Sequence, residues 1–267
     1  MISVIIVQYN KIELTKQAIR SFRHFHGNAH EIILIDNAST DTALGTLKQE
    51  FPDIQMIFNE KNMGFGAANN MGANIAKGDI LFFLNNDTVT VNQFIPMIER
   101  EFSEHPSIGI IGPRLLNADR SFQISAGSLL TFFREIGRKI VYDLVESKIG
   151  IVERYVEKKY RQKQTVGWVT GAALFIRREL FMGIGGFDEE MFMYFEDIDL
   201  CLRAGGESSI VYFPESFLIH LKGGSATGKS HVNKIYRKSQ LRYYEKHRPS
   251  FERFLLMLYW RIFSKVS

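Results

Sequence analysis

The stretch Ile80-Leu81-Phe82-Phe83-Leu84-Asn85-Asn86-Asp87-Thr88 decides the fold. Five consecutive apolar residues run straight into a polar turn, the pattern of a strand buried on both faces. The same grammar recurs on the N-terminal side. Ser3–Val7 ends in Gln8-Tyr9-Asn10, and Glu31–Asp36, with Ile32-Ile33-Leu34-Ile35 at its centre, opens Asp36-Asn37-Ala38-Ser39-Thr40-Asp41. Ile54–Phe58 reads as a further strand, while Leu14–Phe25 and Ala67–Ala76 carry helical spacing. Buried strands separated by helices predict an α/β fold whose parallel sheet is covered on both faces. Ligands of such sheets lie beyond the carboxyl ends of the strands. Three of these strands end in polar clusters, which is the first functional signal.

On the C-terminal side the rhythm breaks at Leu129–Gln164, an amphipathic, Lys/Arg-studded segment read as an insertion covering a site. Val166–Ile176 is expected to rejoin the sheet, and Gly183–Asp188 to form a turn. Glu196–Ala204 reads as a helix, Ile210–Phe213 as a short strand and His220–Ser225 as a loop. Phe251, Phe254, Leu255, Leu258, Tyr259 and Ile262 recur at helical spacing in the last thirty residues.

The 267 residues suffice for one large α/β domain with an extension. A single cysteine, Cys201, excludes an intramolecular disulfide and argues against a cysteine-built metal site. The start lacks a basic leader, and no apolar run approaches the roughly 20 residues of a membrane span, so a cytoplasmic protein is expected. Charge is uneven. From His220 onward eleven Lys/Arg face only Glu245 and Glu252, about +9 locally in a chain of net +4. A basic tail suits an anionic partner or a solvated helix face.

Several residues could carry chemistry. Asp87, just past an apolar strand, suits a hard divalent cation that binds diphosphate, or a turn aspartate capping a helix from Val91. Asp36 could accept from the imide N–H of uracil or thymine, or cap the helix after Thr42. Glu196 and Asp197 open a predicted helix, where the macrodipole favours acids, but Phe192-Met193-Tyr194-Phe195 ahead of them would desolvate a carboxylate toward a general base. Asp199 and Arg203 sit at a favourable i,i+4 spacing and should pair. His220 could complete a cation shell, with Lys222, Lys229 and the following glycines neutralising a leaving diphosphate. Gly64 and Gly66 lack the G-x-G-x-x-G spacing and do not follow the first strand, which excludes a dinucleotide fingerprint.

In their order these motifs resemble family 2 inverting glycosyltransferases with a GT-A fold, in the rhamnosyltransferase-like branch of cell-surface polysaccharide assembly. The resemblance runs from Val4-Ile5-Ile6-Val7-Gln8-Tyr9-Asn10 through Ile35–Asp41, Asn62-Met63-Gly64-Phe65, Gly78-Asp79 and Phe83–Thr88. It continues through Gly167–Ala172, Gly185–Glu189 and Tyr194–Leu200, and closes at His220–Ser225. It implies a single Rossmann-like, mixed but mostly parallel sheet flanked by helices. Residues 1–225 would form the GT-A domain, divided into a nucleotide-binding half at 1–115 and an acceptor and catalytic half at 116–225 with an insertion at 129–164. A basic helical extension at 226–267 would follow.

Carried onto this sequence, the resemblance implies that Val7, Tyr9 and Asp36 hold the nucleobase, with Asn69, Asp79 and Asn86 on the nucleotide side. Asp87 and His220 would bind a divalent cation, Mg²⁺ or Mn²⁺. Asp197 would deprotonate the acceptor hydroxyl, and Trp168 and Glu196 would shape the acceptor site. The pattern departs at Asn85, where the first acidic position of a DxD motif is an amide, a poorer ligand. The implied partners are a nucleoside-diphosphate sugar and a glycan or lipid-linked acceptor, with no nucleic acid. Inversion needs one base and charge stabilisation on the diphosphate, and no second carboxylate in a matched setting suggests a retaining mechanism. The competing classes are a non-catalytic nucleotide-sugar-binding protein and a nucleotidyltransferase, whose basic glycine-rich loop after the first strand is missing. The C-terminus, with Arg253, Arg261 and Lys265 flanking apolar residues, suits an interfacial helix at the inner membrane face, or one packed on the core or on a twin subunit in a homodimer.

Overall fold

The computed structural model describes residues 1–40, 44–147, 149–222 and 229–263. The first half runs β1 (Ile2–Gln8), α1 (Ile12–His26), β2 (Glu31–Asp36), α2 (Leu44–Glu50), β3 (Gln55–Phe58), α3 (Phe65–Ile75), β4 (Ile80–Asn85) and β5 (Thr88–Thr90). There follow α4 (Ile95–Glu104), β6 (Ile108–Leu116), β7 (Phe122–Gln123), β8 (Ala126–Gly127), α5 (Phe132–Glu146) and α6 (Gly150–Lys159). The chain continues with β9 (Gln164–Thr165), β10 (Trp168–Val169), β11 (Ala173–Arg177), α7 (Arg178–Gly183), α8 (Glu196–Ala204), β12 (Ser209–His220), α9 (Lys229–His247) and α10 (Ser250–Phe263).

The main sheet has the order β3-β2-β1-β4-β11-β6-β12-β5, with β7 and β9 paired at its side. β3, β2, β1 and β4 are mutually parallel, and β6 is parallel to β12. β11 runs antiparallel between β4 and β6, so the sheet is mixed. Its strands feed both layers by the period-two alternation of side chains. Val4, Ile6, Ile32, Leu34, Phe82 and Phe175 pack with Ile19 and Phe22 of α1 and Ile98 and Phe102 of α4. Ile5, Ile33, Ile35, Leu81, Phe83 and Leu174 pack on the other face with Ala68 of α3, Phe181 of α7 and Ile198 and Leu200 of α8.

Three sequence expectations change. Asp87 does not cap a helix at Val91: it sits in the turn between β4 and β5, and α4 begins only at Ile95. Val166–Ile176 divides, because Trp168 and Val169 pair with Gly127 and Ala126 in a separate ribbon before Ala173 enters the main sheet. The short strand at Ile210–Phe213 extends through an irregularity between Phe213 and Phe217 to His220, which therefore ends a strand instead of opening a loop. Thr42, Gly223–Ser225 and the Lys229 side chain lie outside the described residues.

The insertion and the C-terminal helices form one layer. The buried Glu135 carboxylate of α5 accepts from Tyr236 Oη at 3.3 Å, Gln240 Nε2 at 2.7 Å and Tyr244 Oη at 2.7 Å, all on α9. Glu252 of α10 accepts the Phe132 backbone N–H at 2.8 Å. α9 is in turn fastened to α8, where Asp199, fully buried, accepts from Arg203 at 2.8 Å and pairs with Lys246 at 2.9 Å and His247 at 2.6 Å. Against the opposing effect of burial, these hydrogen bonds and the Arg203 charge hold its carboxyl well below the usual range. The expected Asp199–Arg203 pair is thus one arm of a wider clamp.

One glycine fixes the approach of the segment that precedes α8. Gly64, at φ +86°, would place a Cβ 2.4 Å from the carbonyl oxygen of Phe192, while the next N–H, that of Phe65, donates to the same oxygen at 2.8 Å. Gly64→Ala should lower the unfolding free energy by at least about 2 kcal/mol, since it adds a backbone clash to a left-handed conformation. Urea unfolding followed by circular dichroism measures it, and an unchanged midpoint would refute the contact.

Candidate active site

A cavity of about 930 Å³ opens beside the carboxyl end of β4, between the sheet and the α5–α9–α10 layer. Asn85, Asp87, Gln123, Trp168, Gly171, Glu196, Asp197 and His220 all line it. The sequence motifs from four separate regions therefore converge on one space.

At one end, the pairing of β5 with β12 sets His220 opposite Thr88, next to Asp87. The buried Asp87 Oδ1 lies 3.2 Å from His220 Nε2, and the Leu221 N–H donates to the Asp87 carbonyl at 2.9 Å. A carboxylate and an imidazole this close can share one cation, leaving its other positions to phosphate oxygens and water. Gln123 places its amide 3.0 Å from His220 Nδ1, with Oε1 buried and lacking a partner. With the amide nitrogen on that side, Nε2 carries the imidazole proton and faces Asp87. With the amide turned over, the orphaned oxygen accepts from Nδ1–H and frees Nε2 for a metal. The donor set thus fits a divalent cation, and Gln123 selects the tautomer. Sequence reading missed Gln123 because its neighbour is 97 positions away. Gln123→Leu should weaken Mn²⁺ or Mg²⁺ affinity about 10–100-fold, measured by calorimetry, and unaltered affinity would remove Gln123 from the site.

At the other end, two successive non-glycine residues, Tyr194 and Phe195, adopt φ +72° and +67°. Such conformations cost on the order of 1–3 kcal/mol each and persist where packing over-determines them. Here the Phe195 ring is 2% exposed and packs on Tyr236 and Tyr243 of α9. The strained pair turns the chain abruptly into α8, so that Glu196 and Asp197 both face the cavity. Asp197 accepts the Gly171 N–H at 2.9 Å and the Ile198 N–H at 2.8 Å. Burial raises its pKa, and those two donors together with the Arg138 charge oppose the rise. Glu196, 5% exposed with Oε2 lacking a partner, is raised much further by burial and by the neighbouring Asp197 charge. The protonated form is therefore favoured more at Glu196 than at Asp197, whose carboxylate keeps two backbone donors.

Trp168 forms the wall beside them. It is 5% exposed, its buried indole N–H lacks a partner, and the Arg138 guanidinium of α5 lies 5.6 Å from the ring centroid. Arg138, which the sequence did not single out, thus stacks on Trp168 and acts electrostatically on Asp197.

The expected nucleobase residues stand on the adjoining strand ends, outside this cavity. β1 aligns Gln8 with Asp36 and Val7 with Asn85, which brings Val7, exposed Tyr9 and buried Asp36 onto one edge with the β4 turn. Asp36 accepts from Gln8 Nε2 at 3.2 Å and from the Ser39 N–H at 3.0 Å. Gln8 takes the Thr15 hydroxyl at 3.1 Å, and Asn86 Nδ2 donates to Thr15 at 3.1 Å. Asn69 is buried in α3 with its amide on the Phe65 carbonyl at 3.0 Å. Asp79 requires correction. It precedes β4, whose six residues span about 20 Å, and it pairs with the chain's N-terminal amine at 3.2 Å at the opposite end of the sheet. It does not share an end with Asp36 or Asp87.

Comparison with known proteins agrees with this architecture. The chain is 27% identical over 231 residues to the N-acetylglucosaminyl-diphospho-decaprenol L-rhamnosyltransferase of Mycobacterium tuberculosis, covering 81% of this chain and 75% of that one. It is 25% identical over 262 residues to rhamnosyltransferase WbbL of Escherichia coli, covering 93% and 94%. Among solved structures, GalNAc-T7 with UDP, GalNAc and Mn²⁺ superposes with a TM-score of 0.66 at 18% identity, over 92% of this chain. This chain spans 47% of that protein, and at such identity the likeness speaks for the GT-A fold alone. The model of glycosyl transferase family 2 matches residues 3–185. With a match over more than half its length, a sheet of this topology and acids gathered at its strand ends, the chain belongs to glycosyl transferase family 2 and is a glycosyltransferase.

Proposed function

We propose that this glycosyltransferase moves L-rhamnose from a nucleoside-diphosphate donor to a hydroxyl of a glycan or lipid-linked acceptor, with inversion at the anomeric carbon. The observation that carries the reading is the shared cavity, with the Asp87–His220 pair at one end and Asp197 at the other. A divalent cation held by Asp87 and His220 would neutralise the departing diphosphate. Val7, Tyr9 and Asp36, with Asn86 beside them, stand where the donor nucleobase would extend along the strand ends. Asp197 takes the proton of the acceptor hydroxyl as that oxygen attacks, and the carboxylate's two backbone donors keep it aimed. Glu196 and the Trp168 N–H supply hydrogen bonds to the acceptor sugar, which answers both orphaned polar atoms.

Rhamnose is favoured by the two rhamnosyltransferase relatives, one of which carries N-acetylglucosaminyl-diphospho-decaprenol in its name. The reading places the reaction on the cytoplasmic side of a membrane. Thermal melting with dTDP-rhamnose, UDP-glucose and GDP-mannose, each with and without Mn²⁺, tests it. Ligand that binds only the folded state raises the melting temperature by mass action. Stabilisation by dTDP-rhamnose with Mn²⁺ supports the assignment, and a larger shift with another donor replaces it.

A further inference from the structure

α10 presents an outer face that nothing among the described residues covers. Phe251, Phe254, Leu258 and Ile262 are 60%, 61%, 42% and 54% exposed, with Met257 beside them at 46%. Their spacing of three and four residues places them on one stripe of the helix. The opposite side of α10 is occupied: Leu256 is 2% exposed in the core, and Tyr259 and Trp260 pack against it. Beside α10 runs α5, joined to it by the Glu252–Phe132 bond and by Lys139 Nζ at 3.3 Å from Tyr259 Oη. α5 adds exposed Phe133 and Ile140.

Charge identifies the occupant. Residues 229–263 carry nine Lys/Arg against two acids. The one acid of α10, Glu252, is turned inward, 6% exposed and paired with Arg248 at 2.5 Å. The outward face therefore combines apolar side chains with exposed Arg261 and no carboxylate. A second copy docking through this face would bring together two surfaces that each carry Arg261 and no carboxylate to pair it, which is unfavourable. An anionic lipid surface accepts both features, since the apolar stripe enters the acyl boundary while cations meet the headgroups. At 14 residues, about 21 Å, α10 is shorter than a span, and among the described residues no helix is long and apolar enough to cross a membrane.

We infer that α10 lies flat on an anionic lipid surface, with α5 beside it. α5 and α10 wall the cavity through Lys139, Tyr142, Leu256, Tyr259 and Trp260, so docking sets the acceptor side of the cavity at that surface. This deepens the proposed function, on which it rests for the identity of the cavity's occupant.

The test is flotation of the full chain with vesicles of phosphatidylcholine, alone or with 30 mol% phosphatidylglycerol (about that share), compared with a Phe251→Ser/Phe254→Ser/Leu258→Ser variant. These side chains are exposed and lie outside the cavity lining, so the far-ultraviolet spectrum should be unchanged. The parent should partition preferentially to phosphatidylglycerol vesicles, weaken with salt and lose at least about tenfold in the variant. Failure of the parent to float, equal flotation of the variant, or a dimer of the parent that the variant dissolves in light scattering would each overturn the inference. Donor-induced melting shifts of both proteins report separately on the proposed function, since they need no lipid.

Discussion

Asp197→Asn should lower the turnover number about 10³-fold while leaving donor affinity within about twofold, because a general base acts on the acceptor proton and not on the bound nucleotide. The amide keeps the size of the side chain but has one acceptor oxygen where the carboxylate has two, so it retains either the Gly171 or the Ile198 N–H bond. The proton-accepting charge is removed together with one of those two bonds. Glu196→Gln should be far milder, because burial and the Asp197 charge both favour the protonated carboxyl, a donor that an amide imitates. The pH profile adds a second readout. Burial raises the Asp197 pKa, so turnover is retained above that raised value and lost as pH falls through it. Arg138→Gln deletes a charge that favours the ionised carboxylate, so the acidic limb should move to higher pH. Unchanged turnover in Asp197→Asn would remove that residue from the mechanism, and a limb that stays in place would separate Arg138 from it.

The parts of the fold legible in the sequence are those whose pattern is local. β1, β2 and β4 carry uninterrupted apolar runs because both faces of these strands are buried. α8 carries its own start signal in three acids of the first turn. β6 gives no such signal: Gly109, Gly112 and Pro113 interrupt it, and tertiary packing explains two of them. A Cβ at Gly112 would meet Val169 at 2.4 Å, and one at Gly109 would meet Ser208 at 2.0 Å. β12 looked four residues long for a related reason, since Pro214, Glu215 and Ser216 break its alternation where its register with β6 shifts. The separation of Trp168 and Val169 from β11 is likewise invisible locally, because it depends on the partner strand β8.

The site divides along the same line. Asp87, His220, Glu196 and Asp197 could be found because their chemistry lies beside strand and helix termini. Their supporting residues could not. Gln123 acts on His220 from β7, and Arg138 reaches Trp168 and Asp197 from the insertion; both sit in segments whose composition says only strand or basic helix. Asp79 shows the converse error. Its short sequence distance from Asp87 hides a full strand length of separation, since the residues at the two ends of an extended segment face opposite edges of the sheet. The C-terminal helices were legible as helices, but the tyrosines that bind them into the core, Tyr243 and Tyr244, become meaningful only beside Glu135 and Phe195.

Asp87→Ala should reduce turnover per donor affinity on the order of 10²–10³-fold and should abolish cation-dependent melting shifts with the donor diphosphate. Among the described residues the site offers few protein ligands. Asn85 supplies at most an amide oxygen, and among the described residues no group of three or more His, Cys, Asp or Glu side chains gathers for a metal. Among the described residues Asp87 is thus the one carboxylate that meets His220 at this end of the cavity, and its loss leaves the imidazole as the main ligand there. His220→Ala should cost less, since a carboxylate contributes charge as well as a donor atom. Asn85→Asp should move the other way and tighten Mn²⁺ binding, by adding a second carboxylate to a site that has one. The order of Mn²⁺ affinities expected from calorimetry is therefore Asn85→Asp above the parent, the parent above His220→Ala, and Asp87→Ala lowest. An Asp87→Ala protein whose donor binding still responds to Mn²⁺ would move the cation elsewhere and take the Asp87–His220 pair out of the donor site.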